Sequence, residues 1–373
     1  MEQKEMNATT RERTYDLIGL MPCAVKVPME KKVSAFVQNA SQAQGARLHY
    51  QILSNAVMQE DILAGIDQAQ GEDDLPNIMI APGFGRFFHQ PFVERFRDKG
   101  VFSSVFTETP SKAFNDMGII DQAGHYDIIA FNPLVLLVDK TRDPGLPTPR
   151  SWMDLCDEAF EDKVALRGSN DIDVCESILF SYYQWGGAKA LQALGRASHS
   201  RLHPAEMVKI AGTHVPDAPA VFAIPFGFAK LVRPRPEIEI VWPSEGAIVN
   251  PILMATKRNA TPAVKGLARF FIGPEGGQVF ESNGLCSVCP GLAQAVPEDA
   301  SYHWVGWDFL DSIDVDQFKE ECNEVVAEVF QARKGRPPRS EVLAQRKARL
   351  SGPHHMKEEG KSPFKVTVRG EAL

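Results

Sequence analysis

Residues 237–290 read EIEIVWPSEGAIVNPILMATKRNATPAVKGLARFFIGPEGGQVFESNGLCSVCP. Ile238 and Ile240 alternate with Glu237 and Glu239, the pattern of a half-buried strand. Pro243-Ser244-Glu245-Gly246 is a tight turn. Residues 248–254 form an apolar run of strand length, in which Asn250-Pro251 predicts a bend or an edge. Thr261 is placed to cap a helix whose first position is Pro262. Val264, Leu267, Ala268 and Phe271 then recur at helical spacing, so one face is buried. Gly273-Pro274 stops that helix, and a second one starts at Gly276.

The order P-S-E-G-x-I-V-N-P, strand, T-P-A-V-K-x-L-A-x-F-F-I-G-P-E-G resembles the return crossover of bacterial extracellular solute-binding proteins. The branch it is similar to includes the ferric-ion, thiamine and phosphonate binders of ABC importers. Gly277 beside Gly276 departs from the pattern. A second match is Pro149-Arg150-Ser151-Trp152-Met153-Asp154-Leu155, which resembles the P-x-S-W-x-D-L opening of the second lobe. The resemblance covers residues 22–291, more weakly before 106. It implies an α/β, two-lobe periplasmic-binding-protein-like fold of type II, with hinge strands between the lobes. It also implies a small-molecule ligand, an ABC-transporter membrane permease as partner, no cofactor, and a periplasmic or cell-surface location.

Length and charge agree with that outline. A chain of 373 residues exceeds the usual single-domain size. A net charge of -8 argues against general nucleic-acid binding. Six cysteines are too few for a disulfide scaffold. The N-terminal residues mix acidic and basic side chains without an apolar core, unlike a secretory signal, which leaves a cytoplasmic location open.

Along the chain, residues 22–27 are expected to form a first strand and loop, and Pro28 to open a helix. A second strand ends at Ser54-Asn55, and a third runs into Pro82-Gly83-Phe84-Gly85. Strand and helix alternate here, so this sheet is largely parallel, with ligands beyond the carboxyl ends of its strands. Residues 128–139 form a long apolar strand interrupted by Asn132-Pro133. The resemblance puts the crossing to the second lobe near that position. The expected division is an N-terminal extension at 1–21, lobe one from 22–131 and 248–330, and lobe two from 132–247. Residues 314–330 predict an amphipathic helix. After Gln331 the chain turns basic without an apolar period, so 331–373 is expected to be disordered or loosely attached.

Ser169-Asn170-Asp171-Ile172-Asp173 lies between a strand and a helix, where free backbone N–H groups favour an anion. Asp171 and Asp173 repel an anion unless they meet a cation, or serve as carboxylates of the helix N-terminus. The resemblance puts a ligand-bearing strand before Pro225-Phe226-Gly227-Phe228. Ferric binders of the branch have a tyrosine pair there, and this chain has none. The residues expected to line the cleft are Ser54, Asn55, Gly83, Phe84, Ser169, Asn170, Asp171, Phe226 and Glu245. Cys286-x-x-Cys289 reads as a reduced structural pair, as a redox pair, or as half a zinc site lacking its second half. The chain contains no GxSxG, HExxH, P-loop or GxGxxG, and a ligand-binding protein rather than an enzyme is expected. A cytoplasmic sensor or an enzyme on the same fold is the alternative.

Overall fold

The computed structural model describes residues 10–54, 59–169, 173–293, 296–350 and 364–369. In chain order these form β1 (Thr10–Thr14), β2 (Leu17–Met21), α1 (Cys23–Gln44), β3 (Tyr50–Ser54), α2 (Gln59–Gln68) and β4 (Ile78–Pro82). The short helices α3 (Gln90–Phe92) and α4 (Lys112–Met117) lead to β5 (Asp127–Asp139). Next come β6 (Val164–Ser169), β7 (Asp173–Val174), α5 (Glu176–Ala197), β8 (Ser198–Leu202), α6 (Pro204–Ile210), β9 (Val221–Pro225) and α7 (Phe226–Ala229). The chain returns through β10 (Ile238–Val241), β11 (Ala247–Thr256), α8 (Pro262–Ile272), α9 (Pro274–Ser282), β12 (Cys286–Ser287) and β13 (Tyr302–His303). It ends with α10 (Trp307–Asp311), α11 (Val315–Lys334), α12 (Arg339–Leu350) and β14 (Lys365–Arg369).

The main sheet runs β3-β2-β4-β11-β5-β9-β6-β7, and it divides into two halves. In the first half β2 is parallel to β3 and β4. In the second, β6 is parallel to β8 and β9. β2, β4 and β9 are buried along their whole length, which explains their unbroken apolar runs. Two core clusters keep to one half each, while the largest, with Leu20, Phe84, Leu166 and Ile178, spans both. Met21, Ile80, Ile252 and Phe271 belong to one cluster, while Leu137, Phe222 and Ile224 belong to another. Thr261 caps α8 by accepting from the Val264 N–H at 3.4 Å, with Pro262 in the first turn, as its sequence requires.

Two strands belong to both halves. β5 pairs with β11 through Asp127–Leu134 and with β9 through Leu134–Val138. β11 pairs with β5 from Ile248 onward and with β4 from Ile252 onward. Asn250 lies directly opposite Asn132, so the two Asn-Pro dipeptides face each other where the sheet divides. Neither Pro133 nor Pro251 has an N–H to give, so the ladder is thinnest at that level. A register shift follows at once between Ile252 and Leu253. The sequence suggested an edge or a bend at Pro251 and an edge, a bulge or a bend at Pro133; both prolines lie in central strands, beside this irregularity in the pairing.

Three expectations are corrected. The first strand of the main sheet is Leu17–Met21, fully buried, and α1 begins at Cys23 with Pro28 inside it. A continuous apolar strand lacks the alternation that marks a half-exposed one, and this hid it. Second, α11, expected with lobe one, packs along α5 in the second half. Cys322, Val326 and Phe330 are buried, and a Cβ at Gly195 would stand 2.7 Å from the Val326 carbonyl, so the helices meet backbone to backbone. Third, the described residues after Gln331 pack onto the fold, while 351–363 and 370–373 lie outside the described residues. Arg333 and Lys334 pair with Asp162 at 2.8 and 2.7 Å. Arg339 pairs with Asp173 at 2.6 Å and Glu320 at 2.8 Å. β14 pairs antiparallel with β1. The basic composition suggested a solvated tail because its carboxylate partners are distant in sequence.

Candidate functional site

The carboxyl ends of β2, β3 and β4 face those of β6 and β9 across the division of the sheet. Ser54 ends β3, and its hydroxyl lies 3.3 Å from the Cys23 thiol at the start of α1. Gly83 follows β4 at φ +78°, and its N–H donates to the Pro251 carbonyl at 2.9 Å. The Phe84 N–H donates to Glu176 Oε1 across the division at 3.1 Å. A Cβ at position 83 would stand 2.1 Å from the same oxygen, so glycine is required by both conformation and space. The Phe84 ring is buried against Phe180 and Trp304, each 5.8 Å between centroids. It therefore packs the core, and only its backbone faces the cleft.

From the other side, Ser169 ends β6 and pairs with Asp173 in a hairpin. Asn55, Asn170 and Asp171 lie outside the described residues. Phe226 begins α7, and its ring meets Trp242 at 5.5 Å and the Lys230 ammonium at 5.4 Å. Gly227 touches the loop after α9: a Cβ there would lie 2.4 Å from the Asn283 carbonyl, and one at Gly284 2.5 Å from Gly227 Cα. Glu245 accepts from the Trp152 and Met153 N–H groups at 3.0 and 3.1 Å. Its carboxylate thus fixes the turn that opens the second half. The Asp173 carboxylate is likewise engaged by Arg339.

Residues the sequence reading passed over carry most of the charge here. Burial pushes the Glu176 carboxyl up, but Lys319, the Phe84 N–H and Arg167 together hold it below the usual range. Burial lowers the Arg86 guanidinium, and Glu176 offsets part of that. Arg167 Nη1 donates to the Cys175 thiol at 2.8 Å. Asn250 Oδ1 accepts from the Ser177 hydroxyl at 3.1 Å, tying β11 to α5, whereas the buried Asn132 Oδ1 has no partner among the described residues. Arg86 follows directly on Pro82-Gly83-Phe84-Gly85, and Glu176 stands one residue into a helix. A cation after a glycine turn and a carboxylate at a helix start were the available signals.

Farther out, His89 lies between Asp316 at 2.6 Å and Asp67 at 3.0 Å, linking α11 to α2. Burial pulls its imidazole down, but the two carboxylates raise it above its ordinary value. Cys286 and Cys289 are buried free thiols, and burial pushes both up. Among the described residues no three His, Cys, Asp or Glu are grouped to hold a metal ion.

The sequence model of bacterial extracellular solute-binding proteins matches residues 73–312. The chain belongs to this family. The family consists of ligand-binding components of ABC importers rather than enzymes, and its members are extracellular. No curated protein matches the chain in sequence. Solved structures similar to it include apo FutA2 from Synechocystis, with a TM-score of 0.58 and 15% identity over 86% of this chain and 100% of that one. An ABC transporter protein from Clostridium perfringens gives 0.56 and 15%, covering 83% and 99%. A ferric binding protein from Campylobacter jejuni gives 0.54 and 12%, covering 85% and 98%. At these identities the likeness establishes the two-lobe periplasmic-binding fold of this solute-binding protein.

Proposed function

We propose that this solute-binding protein captures a small polar ligand between its lobes by closing about β5 and β11, and delivers it to a membrane permease. The observation that carries the reading is the pair of shared strands whose Asn132-Pro133 and Asn250-Pro251 stand opposite each other. Rotation there strains few hydrogen bonds, because the prolines have already removed two donors. On this reading lobe one comprises residues 22–131 and the return segment from 248. Lobe two comprises residues 132–247 together with α11. The site would be formed by Ser54, the Gly83–Phe84 backbone, the segment from Ser169 through Asp171, and Phe226. Glu245 sits behind it and sets the geometry of the second lobe.

The ligand-loaded protein would face the outer side of the membrane, as the family does. Relatives named as ferric binding proteins do not fix the cargo of this one. Phe226 and Phe228 stand where the sequence expects an iron-binding branch to carry tyrosines, and the Tyr182 hydroxyl is engaged with the Trp152 carbonyl at 2.6 Å. Direct tyrosine coordination of iron is therefore not part of the proposal. Native mass spectrometry of protein from its own host, followed by a thermal-shift screen, tests the reading. A retained small molecule, or a dose-dependent rise in melting temperature with a fall in radius of gyration, supports it. A ligand-free mass and no shift across amines, organic acids, phosphonates, sugars and metals would refute capture of a small solute.

A further inference from the structure

A guanidinium buried without a counter-charge is costly, and proteins ordinarily pair it. Arg86 is only 7% exposed. Its Nε is buried without a hydrogen-bond partner among the described residues. It stands two residues after Phe84, whose N–H reaches Glu176 in the opposite lobe at 3.1 Å. From that lobe, Arg167 is bonded to Cys175, the chain neighbour of Glu176, and it also lacks a carboxylate within ion-pair distance among the described residues. The other cations nearby are accounted for. Arg339 is paired with Asp173 and Glu320, and Lys319 faces Glu176, Asp173, Glu320 and Asp316. One carboxylate, Glu176, thus faces two arginines contributed by opposite lobes.

We propose that the cleft binds a solute through an oxyanion group, carboxylate or phosphoryl, gripped between Arg86 of one lobe and Arg167 of the other, and that Glu176 occupies this position in the unliganded closed form. This rests on the solute-binding reading and adds the class of ligand. A planar guanidinium presents parallel N–H donors to two oxygens of one acid group, so an arginine from each lobe converts anion binding into lobe closure. Glu176 is a tethered competitor. It meets the Phe84 N–H and lies beside both cations, as an acid group of the ligand would. An entering oxyanion takes over the arginines, and Glu176 retains Lys319 as its partner.

Isothermal titration of the full chain with inorganic phosphate and with succinate tests this, with glucose, ethanolamine and spermidine as comparators. The two acids separate phosphoryl from carboxylate recognition. Saturable binding of at least one, weakened about tenfold or more in Arg86→Gln and in Arg167→Gln, is expected. Glu176→Gln should bind it more tightly, which a purely structural Glu176 would not produce. Arg86→Met guards against misfolding: with its circular dichroism unchanged from the wild type, it should abolish the rise in melting temperature caused by the acid. Binding of a comparator but of neither acid overturns the oxyanion assignment and leaves solute capture standing. Binding of none of the probes counts against both. Unchanged affinity in the arginine variants also overturns it.

Discussion

Two contacts in this molecule are made through glycine, and they are opposite in character. At α5 and α11, Gly195 lets two helices meet over Cys322, Val326 and Phe330, all buried and apolar. At the cleft, Gly83 and Gly227 let the lobes meet over backbone N–H groups, a carboxylate and backbone carbonyls. The first contact removes apolar surface from water and has no better alternative in solution. In the second, water can replace the hydrogen bonds when the lobes part, and the apolar cost of opening there lies in the Phe84–Phe180 contact. Close approach alone therefore does not make an interface permanent; the chemistry of what approaches does.

Breaking the permanent contact should have the largest effect. Gly195→Leu forces a side chain into the Val326 backbone and should cost about 3 kcal/mol, read as a fall in the denaturant midpoint. Loss of under about 0.5 kcal/mol would show that α11 is not an integral part of lobe two. Gly83→Ala should cost about 1–2 kcal/mol through its left-handed backbone, and more locally from the clash with Glu176. Small-angle scattering should then show a larger radius of gyration with secondary structure intact. An unchanged radius would mean that the Gly83 contact does not hold the lobes together.

Cysteine alkylation sharpens the contrast. Cys175, half-buried at the cleft, should react faster in Gly83→Ala than in the wild type. Cys322, whose thiol burial pushes up to about 12, should react only on global unfolding. Equal rates at both positions would erase the distinction. The smallest effect concerns His89. Its folded pKa is raised, so its link to Asp316 and Asp67 contributes fully below the ordinary value of 6.5. The contribution is lost as pH rises through the raised value. The stability gap between wild type and His89→Gln should accordingly be widest in mild acid and close toward alkaline pH; a gap that widens with pH contradicts the assignment.

Much of the scaffold could be read from local pattern. The αβ alternation, the Thr261-Pro262 helix start and the two Asn-Pro positions all depend on neighbours within a few residues. Pro82-Gly83-Phe84-Gly85 was also legible as a rim turn, since a left-handed position after a strand calls for glycine. Phe84 and Glu245 were named as cleft residues from position in the chain, but side-chain direction depends on distant partners. The Phe84 ring turns to Phe180 and Trp304, and the Glu245 carboxylate to Trp152 and Met153.

By itself, then, the sequence determined the alternating α and β elements, because apolar periodicity, turn residues and helix caps act over short distances, while the two lobes and hinge strands were what its resemblance to solute-binding proteins implied. Only the tertiary structure decided which charges are spent and which are left over. The basic residues after Gln331 find Asp162, Asp173 and Glu320 far away in sequence. Arg86 and Arg167, no more conspicuous in the sequence, arrive from opposite lobes beside one carboxylate. Electrostatic pairing depends on distance in space and on burial, and neither is written in the order of the residues.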